Sequence, residues 1–186
     1  MSHAWLAEIA AAFGIKAEPG FGPPTVDIEV ADWESAVTTA RDVLGCGFFD
    51  YLTAVDELED GFAVVVHLAR PVVGRVDSLL LRTRVPRDAA SLASVRGVYA
   101  GAGWHERETH EMFGIDFAGH EPLEPLLLPD GFEGHPLRKD FVLASRVAKP
   151  WPGAKEPGES DGEASPSRRR TRPAGVPEDW LDPDSE

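Results

Sequence analysis

The chain has 186 residues and a single cysteine, Cys46, which excludes an internal disulfide framework, a four-cysteine zinc site and a self-sufficient iron–sulfur cluster. Lys and Arg number 18 against 32 Asp and Glu, and the net charge of −14 disfavours nucleic acid and anionic lipid as direct partners, since both present phosphate. No apolar run approaches the ~20 residues of a spanning helix, and the N-terminus lacks the basic region and long apolar stretch of a secretory signal. A cytoplasmic address is expected, with any membrane attachment made through other proteins.

In chain order, Ser2 is placed to cap a helix with Trp5, Leu6, Ile9, Ala10 and Phe13 on one face, stopped by Gly14. Thr25 to Val30 alternates strictly and predicts a strand with one wet face. Asp32 is expected to cap a second helix with Trp33, Ala36, Val37, Ala40, Val43 and Leu44 inward and Gly45 as its stop. Phe48 to Val55 and Phe62 to Leu68 are β-rich runs joined by Glu57-Leu-Glu-Asp-Gly61, a hairpin signal. Ser78 to Val85 predicts a strand bounded by Pro86. Asp88 opens a predicted helix through Ser91, Leu92, Val95 and Tyr99, interrupted at Gly101 and Gly103, and another runs from Trp104 to Phe113 against Gly114. Beyond it no regular element is expected, only turns and a short extended piece. The fold class is therefore α/β, a two-layer sandwich with a mixed sheet, over residues 1–145.

From Arg146 onward the composition shifts to Pro, Gly, Ser and charge, so 146–186 reads as an extended C-terminal tail without a core of its own. Trp151 and Trp180-Leu181 are unusual in such a setting. They suit a segment that orders along a partner, and a disordered terminus is the competing expectation.

The densest chemistry is Trp104-His-Glu-Arg-Glu-Thr-His-Glu-Met-Phe-Gly114. His105 and His110 are five apart, about 140° around a helix, so they cannot share one metal from an unbroken helix. Glu106 and His110 have ligand spacing, and a small metal-dependent hydrolase using them with a loop histidine is the enzymatic alternative. A solvated face with an Arg107–Glu111 pair is the bland reading. The third is an ion-pair helix, anchored by Trp104, Met112 and Phe113, whose Arg107 and Glu108 meet opposite charges elsewhere.

Two glycine–histidine steps follow, Gly119-His120 and Gly134-His135-Pro136, the second running into Leu137-Arg138-Lys139-Asp140-Phe141. Histidines placed this way in turns generally hydrogen-bond backbone groups. No nucleophile turn or phosphate-binding glycine loop accompanies them, and an ion-pair clamp from Arg138-Lys139-Asp140 to the acidic helix is the simplest expectation.

Glu106-Arg-Glu108, Met112-Phe-Gly-Ile115, Phe117-x-Gly-His120 and Gly134-His-Pro-Leu-Arg-Lys-Asp-Phe141, in this order, closely resemble the signature of the 30-kDa subunit family of respiratory complex I, the C subunit of bacterial NADH-quinone oxidoreductase. The resemblance spans residues 48–150, more loosely the part before. It implies an α/β domain with an extended C-terminal arm, no catalytic, metal or cofactor site in this chain, and FMN, iron–sulfur clusters and quinone in partner subunits. It implies subunits D (49-kDa), B and I as partners, in a peripheral arm on the cytoplasmic face of the plasma membrane. A related ferredoxin-fed or hydrogenase-type membrane complex is the alternative machine.

Carried onto this chain, the resemblance makes Glu106, Arg107, Glu108, His135, Arg138, Lys139 and Asp140 the expected charged network, with Phe113, Gly114, His120, Gly134, Pro136 and Leu137 completing the interface signature. Two departures stand out: Glu111 where relatives commonly have aspartate, and Glu124-Pro125 where they usually carry arginine.

Overall fold

A computed structural model describes residues 3–15 and 22–142; the Ser2 cap and the tail over 146–186 lie outside the described residues. Helix α1 (His3–Phe13) is followed by strand β1 (Thr25–Asp27), a 3₁₀ turn (Val30–Asp32) and helix α2 (Trp33–Asp42). Strands β2 (Phe48–Asp56), β3 (Phe62–Val72) and β4 (Arg75–Val85) come next, then a 3₁₀ turn (Arg87–Ala89) and the short β5 (Ser91–Ala93). Helix α3 (Ala102–Phe113), β6 (Asp116–Ala118) and a 3₁₀ turn between β2 and β3 (Leu58–Asp60) complete the described elements.

The main sheet has the order β1-β4-β3-β2. Its mixed character lies in β1, which runs parallel to β4, while β2, β3 and β4 form an antiparallel meander. Alternation sorts the faces. Leu52, Ala54, Phe62, Val64, Val66, Leu68, Leu79 and Leu81 point into one core with Trp5, Ile9, Trp33, Val37 and Ala40 of α1 and α2. Each buried Val, Leu, Ile or Phe among them contributes roughly 1.5–3 kcal/mol before the entropy of ordering is subtracted. The opposite face leaves Phe48, Tyr51 and Val55 of β2 exposed. The expected α/β two-layer sandwich is the observed one.

Several expectations are corrected. The helix expected from Asp88 to Tyr99 is absent, replaced by β5, which pairs in parallel with β6 through Leu92 and Phe117. A helix there would have given the Val95 N–H to the Ser91 carbonyl; instead Glu106 Oε1 accepts it at 2.7 Å. After Gly114, where only turns and a short extended piece are expected, Asp116–Ala118 is a paired strand, β6. Three-residue strands that pair only with each other carry too few alternating positions to be read locally. The run from Thr25 to Val30 is a strand only as far as Asp27. Strands β3 and β4 are longer than their apolar runs because a second hairpin, turning at Gly74, continues the ladder to Val72 and Arg75. Asp32 precedes α2 but makes no side-chain cap; its carbonyl accepts from the Ser35 hydroxyl. Val43, expected inward, is 70% exposed.

Cys46 sits wholly inside the core, and its carbonyl accepts the Tyr99 hydroxyl at 2.5 Å. Burial pushes the thiol up to about 11, so little thiolate is present near neutral pH. The folded chain is therefore expected to resist a maleimide at pH 7.5 that labels the denatured chain completely. Rapid labelling of the folded protein, followed by mass spectrometry, would contradict this placement.

Candidate functional site

Helix α3 ends in four carbonyls without intrahelical partners, as any α-helix must. The C-cap residue satisfies one of them and the signature loop over 134–141 the other three. Gly114 N–H donates to the His110 carbonyl at 2.7 Å and Leu137 N–H to Met112 at 3.1 Å. His135 Nδ1 donates to the Glu111 carbonyl at 2.8 Å, and Arg138 Nε to the Phe113 carbonyl at 2.6 Å. The Arg138 guanidinium thus lies at the negative end of the helix dipole, with its face over the Phe62 ring. Gly114 makes this possible. Its φ is +70°, and a Cβ there would lie 2.5 Å from both Arg138 Nη2 and His135 Nε2. Pro136 is half-buried, and Gly134, with φ +95°, closes against the Phe141 ring.

The rest of the motif is tied to the sheet. Lys139 contributes its backbone N–H, donating to Asp56 Oδ2 at 2.8 Å. Asp56 also accepts from the Leu58 N–H at 2.8 Å and from Arg87 Nη2, and Arg87 reaches Asp140 at 3.5 Å. Asp56 is a site residue that the motifs do not single out, although it continues the buried alternation of Leu52 and Ala54. An acid on the core face of a strand is the signal that marks it. The expected clamp between Arg138-Lys139-Asp140 and the carboxylates of α3 is not what forms. Arg138 meets a carbonyl, Lys139 uses its main chain, and Asp140 pairs with Arg87.

Burial alone would raise the Asp56 carboxyl. The Lys139 and Leu58 amides and the Arg87 guanidinium outweigh it and hold the group down at about 2. A depressed folded-state pKa gives stability that is full above the unfolded value and is lost as pH falls through the folded one. Unfolding free energy is therefore expected to drop by about 2 kcal/mol from this group between pH 5 and pH 2. Urea titrations of the wild type and Asp56→Asn should differ by this amount in the total loss of stability across that range. Parallel pH profiles would refute the assignment.

The side of α3 fixes a second loop. Glu111 accepts the backbone N–H groups of Leu126, Leu127 and Leu128 at 2.7, 2.9 and 3.3 Å. One turn earlier, Arg107 donates Nε and Nη2 to the Glu124 and Pro125 carbonyls at 2.8 and 2.6 Å. The expected Arg107–Glu111 pair does not form, because each residue grips the main chain of the same loop. The arginines expected at 124 or 125 are thus dispensable for this attachment, which uses only carbonyls.

Glu106 is fully buried. Its carboxylate accepts from the Ser94 hydroxyl, the Val95 N–H and His120 Nδ1, all at 2.7 Å. It joins the β5–α3 connection to the segment leaving β6, and His120 meets a carboxylate rather than the backbone. His110 is turned elsewhere, its Nδ1 3.0 Å from the Ile115 carbonyl. Among the described residues, no group of three or more His, Cys, Asp or Glu is arranged to hold a metal ion. Phe113 is buried edge-on to Phe62, whereas Trp104, expected as an anchor, is 60% exposed. Glu108 is half-buried and Leu137 exposed.

These contacts place two loops, the signature segment 134–141 and the segment 124–128 before it, on one helix. A family model described as "Respiratory-chain NADH dehydrogenase, 30 Kd subunit" matches residues 26–147. The chain belongs to this family. Relatives include the NADH-quinone oxidoreductase C subunit of Rhizobium rhizogenes, 37% identical over 77% of this chain and 72% of that protein. The corresponding C subunit of Methylobacterium radiotolerans is 39% identical over 68% of this chain, which spans 60% of that protein's length. The F(420)H(2) dehydrogenase C subunit of Methanosarcina mazei is 38% identical over 67% of this chain and 80% of its own.

Among solved structures, the trypsin-resistant fragment (1-134) of Nqo5 superposes with a TM-score of 0.54 at 26% identity, covering 64% of this chain and 98% of that fragment. A chain of the archaeal membrane-bound sulfane sulfur reductase shares the fold, with a TM-score of 0.63 over 74% of this chain at 23% identity. No helix among the described residues is long and apolar enough to cross a membrane. The 30-kDa family signature thus marks a helix capped at its end and clasped along its side.

Proposed function

We propose that the chain is a non-catalytic structural subunit of the peripheral arm of a proton-translocating NADH:quinone oxidoreductase. It holds the equivalents of subunits D, B and I together while FMN, iron–sulfur clusters and quinone in those partners carry the electrons. The observation that carries this reading is the use made of the signature. Glu106, Glu111, His135 and Arg138 all bind groups of this same chain, shaping two loops on α3. Ionisable groups fully engaged in fixing loop shape suit a scaffold whose contribution is binding, as obligate assemblies require. Attachment to the cytoplasmic face of the membrane would then run through the complex.

A second machine has a specific observation in its favour. The F(420)H(2) dehydrogenase relative is as similar to this chain as the NADH-quinone oxidoreductase subunits are. The chain is therefore suited to an equivalent place in a complex fed by a donor other than NADH.

The test is purification of a tagged chain from detergent-solubilised membranes, with mass spectrometry of what co-elutes. Subunits D, B and I are expected, with quinone reduction in the assembled fraction only. NADH or another donor driving that reduction separates the two machines. Recovery of the chain alone, or turnover by the isolated chain, would overturn the scaffold reading.

A further inference from the structure

Among the described residues the arginines divide cleanly. Arg41, Arg70, Arg75, Arg82, Arg84 and Arg87 each pair with a carboxylate within 4 Å. Arg138 caps α3 against Phe62. The remaining two, Arg96 and Arg107, line the same open cleft, formed by Arg96, Gly97, Ala100, Gly103, Trp104, Arg107 and His120. The Arg96 side chain is exposed and has no hydrogen-bond or ion-pair partner among the described residues. Arg107 directs Nε and Nη2 to carbonyls, which orients its charge without neutralising it.

In a chain of net charge −14, two unneutralised guanidinium groups converging on one cleft are conspicuous. The nearby acids do not quench them. Glu106 is engaged by Ser94, Val95 and His120, and neither Glu121 nor Glu124 forms an ion pair with either arginine. The floor is built from Gly97, Ala100 and Gly103, so no long side chain occupies it and an incoming backbone can approach closely. Beneath Gly103 lies the His120 ring, with its Nδ1 already committed to Glu106. Trp104 forms one wall, 60% exposed, with the Arg107 guanidinium 5.3 Å from its ring centroid. Stacking of this kind pre-orients a guanidinium for a carboxylate and leaves an indole face for an apolar neighbour.

We propose that this cleft docks an acidic segment of another subunit, with a partner carboxylate between Arg96 and Arg107 and an adjacent apolar side chain on Trp104. The inference rests on the scaffold reading above and gives one contact of that assembly a location and a chemistry. Charge complementarity fixes the sign of the occupant: a basic or purely apolar segment would leave both guanidinium groups unmatched.

Two variants of the full-length chain, expressed in its own membranes, test the proposal. Arg96→Glu should cut recovery of partner subunits with the tagged chain about tenfold, because a rim arginine is replaced by a charge that repels the occupant. Val73→Glu, at the exposed tip of the β3–β4 hairpin, should leave recovery unchanged. Arg96→Lys should retain assembly and supply an amine. A carbodiimide on the intact complex should then form an amide between that lysine and an Asp or Glu of another subunit, with loss of water. Full recovery with Arg96→Glu, together with no amide or an amide only to this chain's own acids, would overturn the docking site while leaving the scaffold reading in place. Failure of the wild-type chain to bring down any partner would overturn the scaffold reading, and the docking site with it.

Discussion

Glu106→Ala is expected to lower the unfolding free energy by about 3–5 kcal/mol, since donors left without an acceptor cost about 1–3 kcal/mol each. Three donors lose their acceptor at once: the Ser94 hydroxyl, the Val95 N–H and His120 Nδ1. Val95 and His120 are themselves buried, so water does not readily replace the carboxylate. Since a domain of this size is stable by only about 5–15 kcal/mol, the loss is a large fraction of the whole. With m-values of about 1–3 kcal/mol/M, the urea midpoint should fall by roughly 2 M.

Glu106→Gln separates shape from charge. The amide oxygen can still accept from Val95 while the amide nitrogen faces Ser94 and His120. Either can accept from it, the histidine by taking the tautomer with the proton on Nε2. A cost of about 1–2 kcal/mol is expected, the charge-assisted part of the network alone. If both variants lose the same stability, the negative charge and not the hydrogen-bond geometry holds these segments. If Glu106→Ala costs less than about 1 kcal/mol, the network is incidental to the fold.

The same network shows where local pattern stops being informative. The helices around Ile9 and Val37, the alternating strands and the stop at Gly114 are legible in the sequence because each is dictated by neighbours within a few residues. Leu92, Val95 and Tyr99 have helical spacing, yet they are buried by three different means: parallel pairing with β6, a turn whose Val95 N–H is taken by Glu106, and a hydroxyl bond to Cys46. None of those partners is near in sequence. The signature shows the same division. Its residue types and spacing mark the site, and its charges suggest ion pairs. The lengths of the side chains and the exposed carbonyls at the end of α3 produce helix capping instead. Counting charges finds residues that matter; it does not say whether a guanidinium meets a carboxylate or a carbonyl.

Gly114→Ala tests the cap directly, and the fold carries its own control. Gly14 ends α1 with φ +65°, nearly the conformation of Gly114, but a Cβ at Gly14 would meet nothing within 4 Å among the described residues. Gly14→Ala therefore measures backbone strain alone, about 1–2 kcal/mol for a left-handed residue. At Gly114 the added methyl must also displace Arg138 and His135, the donors to Phe113 and Glu111. Losing those two bonds adds about 1 kcal/mol each, so a total of about 3–4 kcal/mol is expected. Asparagine tolerates the left-handed region better than alanine but brings the same Cβ. Gly14→Asn should thus recover much of the loss at the first helix, whereas Gly114→Asn should recover little. Limited proteolysis should also find new cleavage between residues 134 and 142 in the Gly114 variants only. Equal losses at the two glycines, or full recovery with Gly114→Asn, would mean that close approach by Arg138 and His135 contributes nothing to holding the signature loop on α3.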